Sequence, residues 1–225
     1  MNQYLDVLYD CPLFEGKEKA EIKNILSKTQ YKINHYKKNE LIFRTDQSSN
    51  YIGIVLNGSI ELQNIIAEKV INVFYRKKGD VFGEADIFSK KPTYHCDALA
   101  IKSTDILLIY KQSVIEVLCK DDVINTNILS LLANTVVLLN KKLELYSFSS
   151  IQKKIAFCLL YNTEANNSDS VSLIHSKTSW AEHLNVSRPS LYRELKILCD
   201  AGIVEMKDNK IRILKRDILE SIWDQ

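Results

Sequence analysis

Residues 176–205 read SKTSWAEHLNVSRPSLYRELKILCDAGIVE, and their spacing predicts two short helices joined by a turn. Trp180, Ala181 and Leu184 recur as an apolar stripe, so the first helix is expected from about Thr178 to Asn185, with Ser176 or Thr178 as its cap. Asn185 and Val186 make the turn. Ser187 then caps a second helix whose Leu191, Leu195 and Leu198 share one face, and Gly202 supplies a left-handed residue to close it. Pro189 falls in the first turn of that helix, where a missing N–H costs nothing. With the leucines inward, Arg188, Pro189, Ser190, Tyr192 and Arg193 cluster near the helix N-terminus, the positions that meet base edges in a helix-turn-helix. Two β-prone runs follow, Ile203 to Met206 and Ile211 to Leu214, separated by the turn-forming 207–210, which predicts a winged variant. Ser176, Lys177, Ser187, Lys207 and Lys210 are the expected phosphate contacts, with Arg212 nearby. The competing reading is a small α+β packing unit with a solvated arginine face. Residues 149–225 carry only about one net positive charge, so specificity must rest on a few placed side chains rather than a broad basic patch.

Outside that stretch, composition sets bounds. The 225 residues are 46% hydrophobic and 26% charged, enough for two modest globular domains. A net charge of +2 and a pI near 8.1 exclude a strongly basic coat or an acidic tail. No apolar run is expected to reach the roughly 20 residues of a bilayer span, and the N-terminus carries acids where a signal peptide would carry bases. The expectation is a cytoplasmic chain with no membrane partner. Cys11, Cys96, Cys119, Cys158 and Cys199 are scattered without a CxxC pair, which argues against a disulfide scaffold and against zinc. An iron–sulfur cluster assembled from separate segments stays open on spacing alone.

Residues 1 to about 30 read helical, and from Tyr31 the period drops to two. Segments 31–36, 41–44, 51–56, 59–65, 70–75, 98–101 and 105–110 are short and β-prone, as in a small barrel or sandwich. Asn57-Gly58 is the strongest hairpin signal and Lys78-Gly79-Asp80 a second turn. Ser113 is expected to cap a short helix, and Asp121 or Asp122 a long one to about Ser147 that extends about 39 Å. Its Ile128, Leu131, Leu132, Thr135, Leu138 and Leu139 follow a spacing of three and four, more than one chain can cover, which predicts a homodimer interface. The polar 147–150 is the expected hinge. The fold class is therefore α+β, with a β-rich domain and N-terminal helices over 1–112, connecting and dimerisation helices over 113–147, and a DNA-binding domain over 148–225.

This order of elements resembles the Crp/Fnr superfamily of bacterial transcription regulators over nearly the whole chain. The resemblance is carried by Asn57-Gly58 between strands, GDVFGEADIF at Gly79–Phe88, and VSRPSLYREL at Val186–Leu195 followed by AGIVE. It implies a cupin-like β-roll that senses an effector, a long dimerisation helix and a winged helix-turn-helix on double-stranded DNA with a palindromic operator, with RNA polymerase as a further partner. It also implies an effector pocket around Gly83, Glu84, Ala85, Tyr94, His95 and Cys96. In cyclic-nucleotide-binding relatives an arginine followed by serine or threonine stands where this chain has Tyr94 and His95, so the phosphate loses its countercharge and cyclic AMP is disfavoured. The DNA-reading helix keeps Arg188 and Arg193 but has Pro189 in place of the usual glutamate, which implies an altered operator.

Haem-binding relatives make His35, His95 or Cys96 candidate axial ligands, although packing of His95 and Cys96 within a strand or against an apolar pocket is the preferred reading. Cys96 is a lesser candidate for a thiol sensor. No clustered His and carboxylate set marks a metal or catalytic centre, so an enzyme is not expected. The effector itself is left unidentified. The alternatives are a ligand-binding module whose terminal domain contacts protein, and a haem- or redox-sensing member of the same family.

Overall fold

The structure, a computed structural model, describes residues 2–66, 69–166, 170–172, 177–207 and 210–224. A turn of 3-10 helix at Asn2–Tyr4 leads into α1 (Leu5–Tyr9), and another at Pro12–Phe14 precedes α2 (Lys19–Ser27). A capping box starts α2: Glu18 accepts from the third-position backbone N–H, and Glu21 accepts from Glu18 N at 2.8 Å. Strands follow as β1 (Tyr31–Tyr36), β2 (Leu41–Phe43), β3 (Tyr51–Asn57), β4 (Ser59–Ile66), β5 (Lys69–Lys77) and β6 (Val81–Phe82). The single-turn α3 (Glu84–Phe88) comes next, then β7 (Asp97–Ala100) and β8 (Thr104–Tyr110). They form two antiparallel four-stranded sheets, β1-β8-β3-β6 and β2-β7-β4-β5. Between the sheets lie Phe43, Val55, Ile60, Phe82, Tyr94, Ile106 and Leu108. A second cluster, of Leu8, Leu13, Phe14, Ile22, Ile52, Ile54, Leu107 and Ile109, seats the N-terminal helices on the outer face of the first sheet. Strand β6 escaped the sequence reading because two residues carry no readable period.

Asn57-Gly58 is not a hairpin turn. Strand β3 pairs with β8 and β6, whereas β4 pairs with β5 and β7, so the dipeptide carries the chain from one sheet to the other. Only Gly58 takes a positive φ, +91°. A Cβ there would meet Thr104 Oγ1 at 2.3 Å and the Ser103 carbonyl at 2.6 Å. The glycine is required by the crossing, not by a two-residue turn.

Beyond β8 come α4 (Lys111–Glu116), a turn at Leu118–Lys120 and the long α5 (Asp122–Ser147). Ser113 does not cap α4. That helix begins two residues earlier, and the Ser113 hydroxyl accepts from Gln30 N at 2.9 Å instead. Asp121 does cap α5, accepting from Ile124 N at 3.1 Å while pairing with Lys17 at 2.8 Å. Ile124 and Ile128 are buried beneath the β-roll, and Asn127 Nδ2 donates to the carbonyls of Leu13 and Glu15 at 3.1 and 2.9 Å. With a mean hydropathy of 1.5 over its most apolar stretch, α5 is long and apolar enough to cross a bilayer, which corrects the expectation that no segment comes near a span. Its ends are committed elsewhere, Ile124 and Ile128 to the core just described and Leu145 to a different one.

After 148–150 the chain continues as α6 (Ile151–Asn166), β9 (Ser170–Ser172), α7 (Lys177–His183), α8 (Arg188–Asp200), β10 (Val204–Lys207), β11 (Lys210–Ile213) and α9 (Arg216–Asp224). Sheet order is β10-β11-β9. The polar β9 was not anticipated. The chain divides into two compact units between Val136 and Val137, inside α5. As a test of the sheet crossing, Gly58→Ala is expected to destabilise the first unit by about 3 kcal/mol, strain plus overlap. Gly79→Ala, at φ +90° with nothing within 4 Å, costs only the strain, about 1 kcal/mol. Urea midpoints of the two variants check the difference.

Candidate nucleic-acid interface and effector pocket

In the second unit, Trp180, Ala181 and Leu184 from α7 and Leu191, Leu195 and Leu198 from α8 meet in one core with Ile155, Leu159, Ile211 and Leu219. The joint between the two helices is fixed by backbone chemistry. Asn185 takes a left-handed φ of +51°, and Val186 N donates to Ala181 O at 3.0 Å. Ser187 Oγ accepts from Ser190 N at 3.2 Å, and the two hydroxyls meet at 2.8 Å. At the far end Gly202, φ +62°, lets Ile203 N reach back to Leu198 O at 3.0 Å. Both ends of α8 are thus capped as the spacing predicts.

Arg188, Pro189 and Arg193 are exposed on α8, while Ser190 and Tyr192 are half-buried. The Arg188 guanidinium lies 5.5 Å from the Tyr192 ring centroid. Arg193 Nε donates to Glu194 Oε1 at 3.1 Å, and the other oxygen of Glu194 accepts from Gln152 Nε2 at 2.9 Å. Glu194 and Gln152 hold Arg193 in place, a role the sequence did not announce because Gln152 is 42 residues away from its partner. Lys154 was missed as well: its buried Nζ donates to Leu184 O at 3.2 Å and satisfies the end of α7. Of the expected phosphate contacts, Lys207 and Lys210 are exposed at the facing ends of β10 and β11. The hydroxyl of Ser187 is engaged by Ser190. Ser176 lies outside the described residues, as does the side chain of Lys177, which opens α7.

Around α3 the candidate pocket residues part company. Gly83 takes φ +81° at the start of the helix. Glu84 is buried, burial pushes its carboxyl up, and Thr135 Oγ1 donates to it at 3.4 Å. Ala85 and His95 face outward. The His95 side chain is 67% exposed and its Nδ1 lies 2.5 Å from Asp86 Oδ1, so it does not line an apolar pocket. Tyr94 is buried, stacked on Phe43 with centroids 4.0 Å apart and planes 8° from parallel. Its hydroxyl bonds the backbone of Tyr51, accepting from N at 3.2 Å and donating to O at 3.3 Å. An aromatic ring therefore occupies the position where the resemblance implies a phosphate-pairing arginine.

Burial, with Asp86 and Asp97 nearby, pushes the Cys96 thiol up to about 12, the reverse of what a thiol sensor needs. His35 has partners for both ring nitrogens, Asp105 Oδ1 at 2.7 Å and Ser103 Oγ at 3.3 Å, which leaves no nitrogen turned to a haem iron. None of the five cysteines forms a disulfide.

On α5 the side chains expected to meet a second copy divide. Ile128 is only 2% exposed and belongs to the core of its own chain. Leu131 and Leu132 pack partly against that core, and Thr135 is engaged with Glu84. Leu138 and Leu139 are exposed. The barest positions are others, Leu129 at 60%, Val136 at 56% and Leu143 at 69%.

Comparison with known proteins places these features together. The family described as the cyclic nucleotide-binding domain matches residues 33–121, and the Crp-like helix-turn-helix domain matches 153–222. The cyclic AMP receptor protein of Thermus thermophilus is 21% identical over 212 residues, 94% of this chain and 96% of its own. FixK2 from Bradyrhizobium japonicum superposes with a TM-score of 0.68 at 19% identity, over 86% of this chain and 97% of its own. A CooA variant from Carboxydothermus hydrogenoformans gives 0.77 at 14% identity, over 94% of each.

One titration probes the helix-turn-helix core directly. Burial pushes the His183 imidazole down from 6.5 to about 4, with Lys142 adding to the effect. The unfolded chain therefore takes up the proton first. The stability contributed by neutral His183 is complete above about pH 6.5 and is lost as the pH falls towards 4, at about 1.4 kcal/mol per pH unit. Urea denaturation of the second unit between pH 7.5 and 4 is expected to show that slope, and His183→Gln to reduce it.

Proposed function

The chain belongs to the Crp/Fnr family of DNA-binding transcription regulators, and on that premise we propose that it works as a homodimer whose β-roll answers to a small molecule other than cyclic AMP. It is a regulator and not an enzyme. The observation that carries the DNA-reading half is α8 itself. Capped by Ser187 and closed at Gly202, it turns Arg188 and Arg193 to solvent, with Arg193 pinned by the Glu194 and Gln152 pair. Each arginine can offer paired donors to guanine O6 and N7, while Pro189 offers no acceptor to a cytosine amine. Ser190 and Tyr192 complete the base-contacting set, and Lys177, Lys207 and Lys210 hold phosphates. The reading assigns 1–112 to sensing, 113–147 to dimerisation and 148–225 to DNA, with the protein at work in the cytoplasm beside RNA polymerase.

Dimerisation is supported by the pattern of exposure on α5. Leu129, Val136 and Leu143 are seven residues apart, and Leu132 and Leu139 fall three beyond the first two of them. This is a heptad seam of period 3.5, the geometry of two helices packed along their length. It is rotated from the stripe through Ile128 and Thr135 that the sequence suggested, because those two side chains are used within their own chain. A twofold pair would present two α8 helices to half-sites one turn of duplex apart, and an effector acts by favouring one arrangement of the pair over another.

The disfavouring of cyclic AMP rests on Tyr94, whose stacked ring brings no charge to a phosphate. Cyclic AMP at micromolar concentration is expected to leave the thermal midpoint of the protein unchanged. Leu143→Glu should convert the dimer to monomer in sedimentation, while the thermal midpoints of the two units stay near wild type. In fluorescence anisotropy at fixed salt, Arg193→Ala should cost about 1–3 kcal/mol of operator binding and relax the base preference. The Lys207→Ala, Lys210→Ala double variant should weaken all sequences alike and shallow the salt slope by about 2.

A further inference from the structure

Strand β1 is the edge of one sheet and β2 the edge of the other, and a cleft of about 370 Å³ opens beside them. Tyr36, Phe43, Tyr51 and Tyr94 line it, with Lys32 and Asn50 among the polar groups. It is not the surroundings of Glu84 and Cys96, none of which lines it. Three of the rings share an orientation: the plane of Phe43 lies within 8° of Tyr94 and 7° of Tyr51. Phe43 and Tyr94 are buried and stacked on each other, so it is the half-buried Tyr51 ring, parallel to Phe43, that offers a flat guest a face for offset stacking.

Among the described residues the lining has one cation and no carboxylate. Lys32 Nζ sits 4.5 Å from the Tyr51 ring centroid. Hydrogen bonds from Tyr110 and Lys32 hold the Tyr51 phenol below its ordinary range, which places the Lys32 ammonium beside that ring. The volume falls within the range of small-molecule pockets, roughly 300–1,000 Å³.

We infer that this cleft binds a planar aromatic anion of one or two rings, stacked on the Tyr51 ring and charge-paired with Lys32. This rests on the reading of the β-roll as a sensor, and it supplies the chemical class of the signal. Tyr94 then belongs to two functions at once, filling the position of a phosphate countercharge and walling the cleft.

The full-length chain is titrated by calorimetry with 2-naphthoate, the neutral 2-naphthamide and the non-planar cyclohexanecarboxylate. Naphthoate is expected to bind at least about tenfold more tightly than either of the others, the worth of one charge-assisted contact or of the lost stacking. Lys32→Met should weaken naphthoate about tenfold with an unchanged circular dichroism spectrum, and Lys32→Arg should restore it. No naphthoate binding at millimolar concentration, equal binding of the amide, or full binding by a folded Lys32→Met protein would overturn the assignment. Operator binding without any probe is measured on the same preparations. A protein that shifts DNA but ignores naphthoate sinks the cleft and leaves the regulator standing.

Discussion

Helix α5 is rooted in two hydrophobic cores, by Ile124 and Ile128 at its start and by Leu145 near its end. Between those roots Leu129, Val136, Val137, Leu138, Leu139 and Leu143 stand in solvent. Burying a leucine or valine side chain is worth about 1.5–3 kcal/mol, so leaving this many bare in one helix is a large unclaimed free energy. Leu129, Val136, Leu139 and Leu143 share one face, and the proposed pairing with a second α5 along it would claim their part of that free energy without asking either unit to refold. On the proposed dimer, that constraint accounts for the length of a 26-residue helix and for the repeat of Leu129, Val136 and Leu143 at seven.

The helix-turn-helix was legible because everything that defines it is local. The cap at Ser187, the left-handed Asn185 and Gly202, and the leucines of α8 all act within a turn or two of their own position. What stayed hidden there involves distance. Gln152 reaches Glu194, and Lys154 reaches the end of α7, across gaps of 42 and 30 residues that no periodicity encodes.

In the β-roll the strands could be read but not their pairing. Asn57-Gly58 looks like a hairpin because the dipeptide reports only that the chain turns; which sheet receives the next strand depends on β8, whose Thr104 crowds Gly58. The α5 stripe was legible only in part for a related reason, with Ile128 taken by its own core while Leu138 and Leu139 are exposed. Periods of 3.5 and 3.6 diverge by about 20° per heptad, too little to decide from sequence whether Ile128 faces its own core or a partner. The structure decides it, because Leu13 and the turn after it reach Asn127 and enclose Ile128. His95 was misjudged for want of Asp86, which draws the imidazole to the surface.

Tyr94 shows how one exchange changes the chemistry of a whole domain. An arginine at the end of the β-roll is an anion receptor whose value depends on an empty space in front of it. A tyrosine there is different: desolvation holds its phenol neutral, its hydroxyl is consumed by the Tyr51 backbone, and its ring demands a flat neighbour, which Phe43 provides. The proposed loss of phosphate selectivity goes with a buried Tyr94–Phe43 stack behind the cleft beside the edge strands β1 and β2. Glu84, one of the expected pocket residues, is turned to α5 through Thr135. That contact lies on α5, whose exposed face carries the proposed dimer seam, so a movement of Glu84 would reach that seam within one side chain. On the proposed reading, the Tyr94 that removes a phosphate countercharge leaves this path from the β-roll to α5 in place.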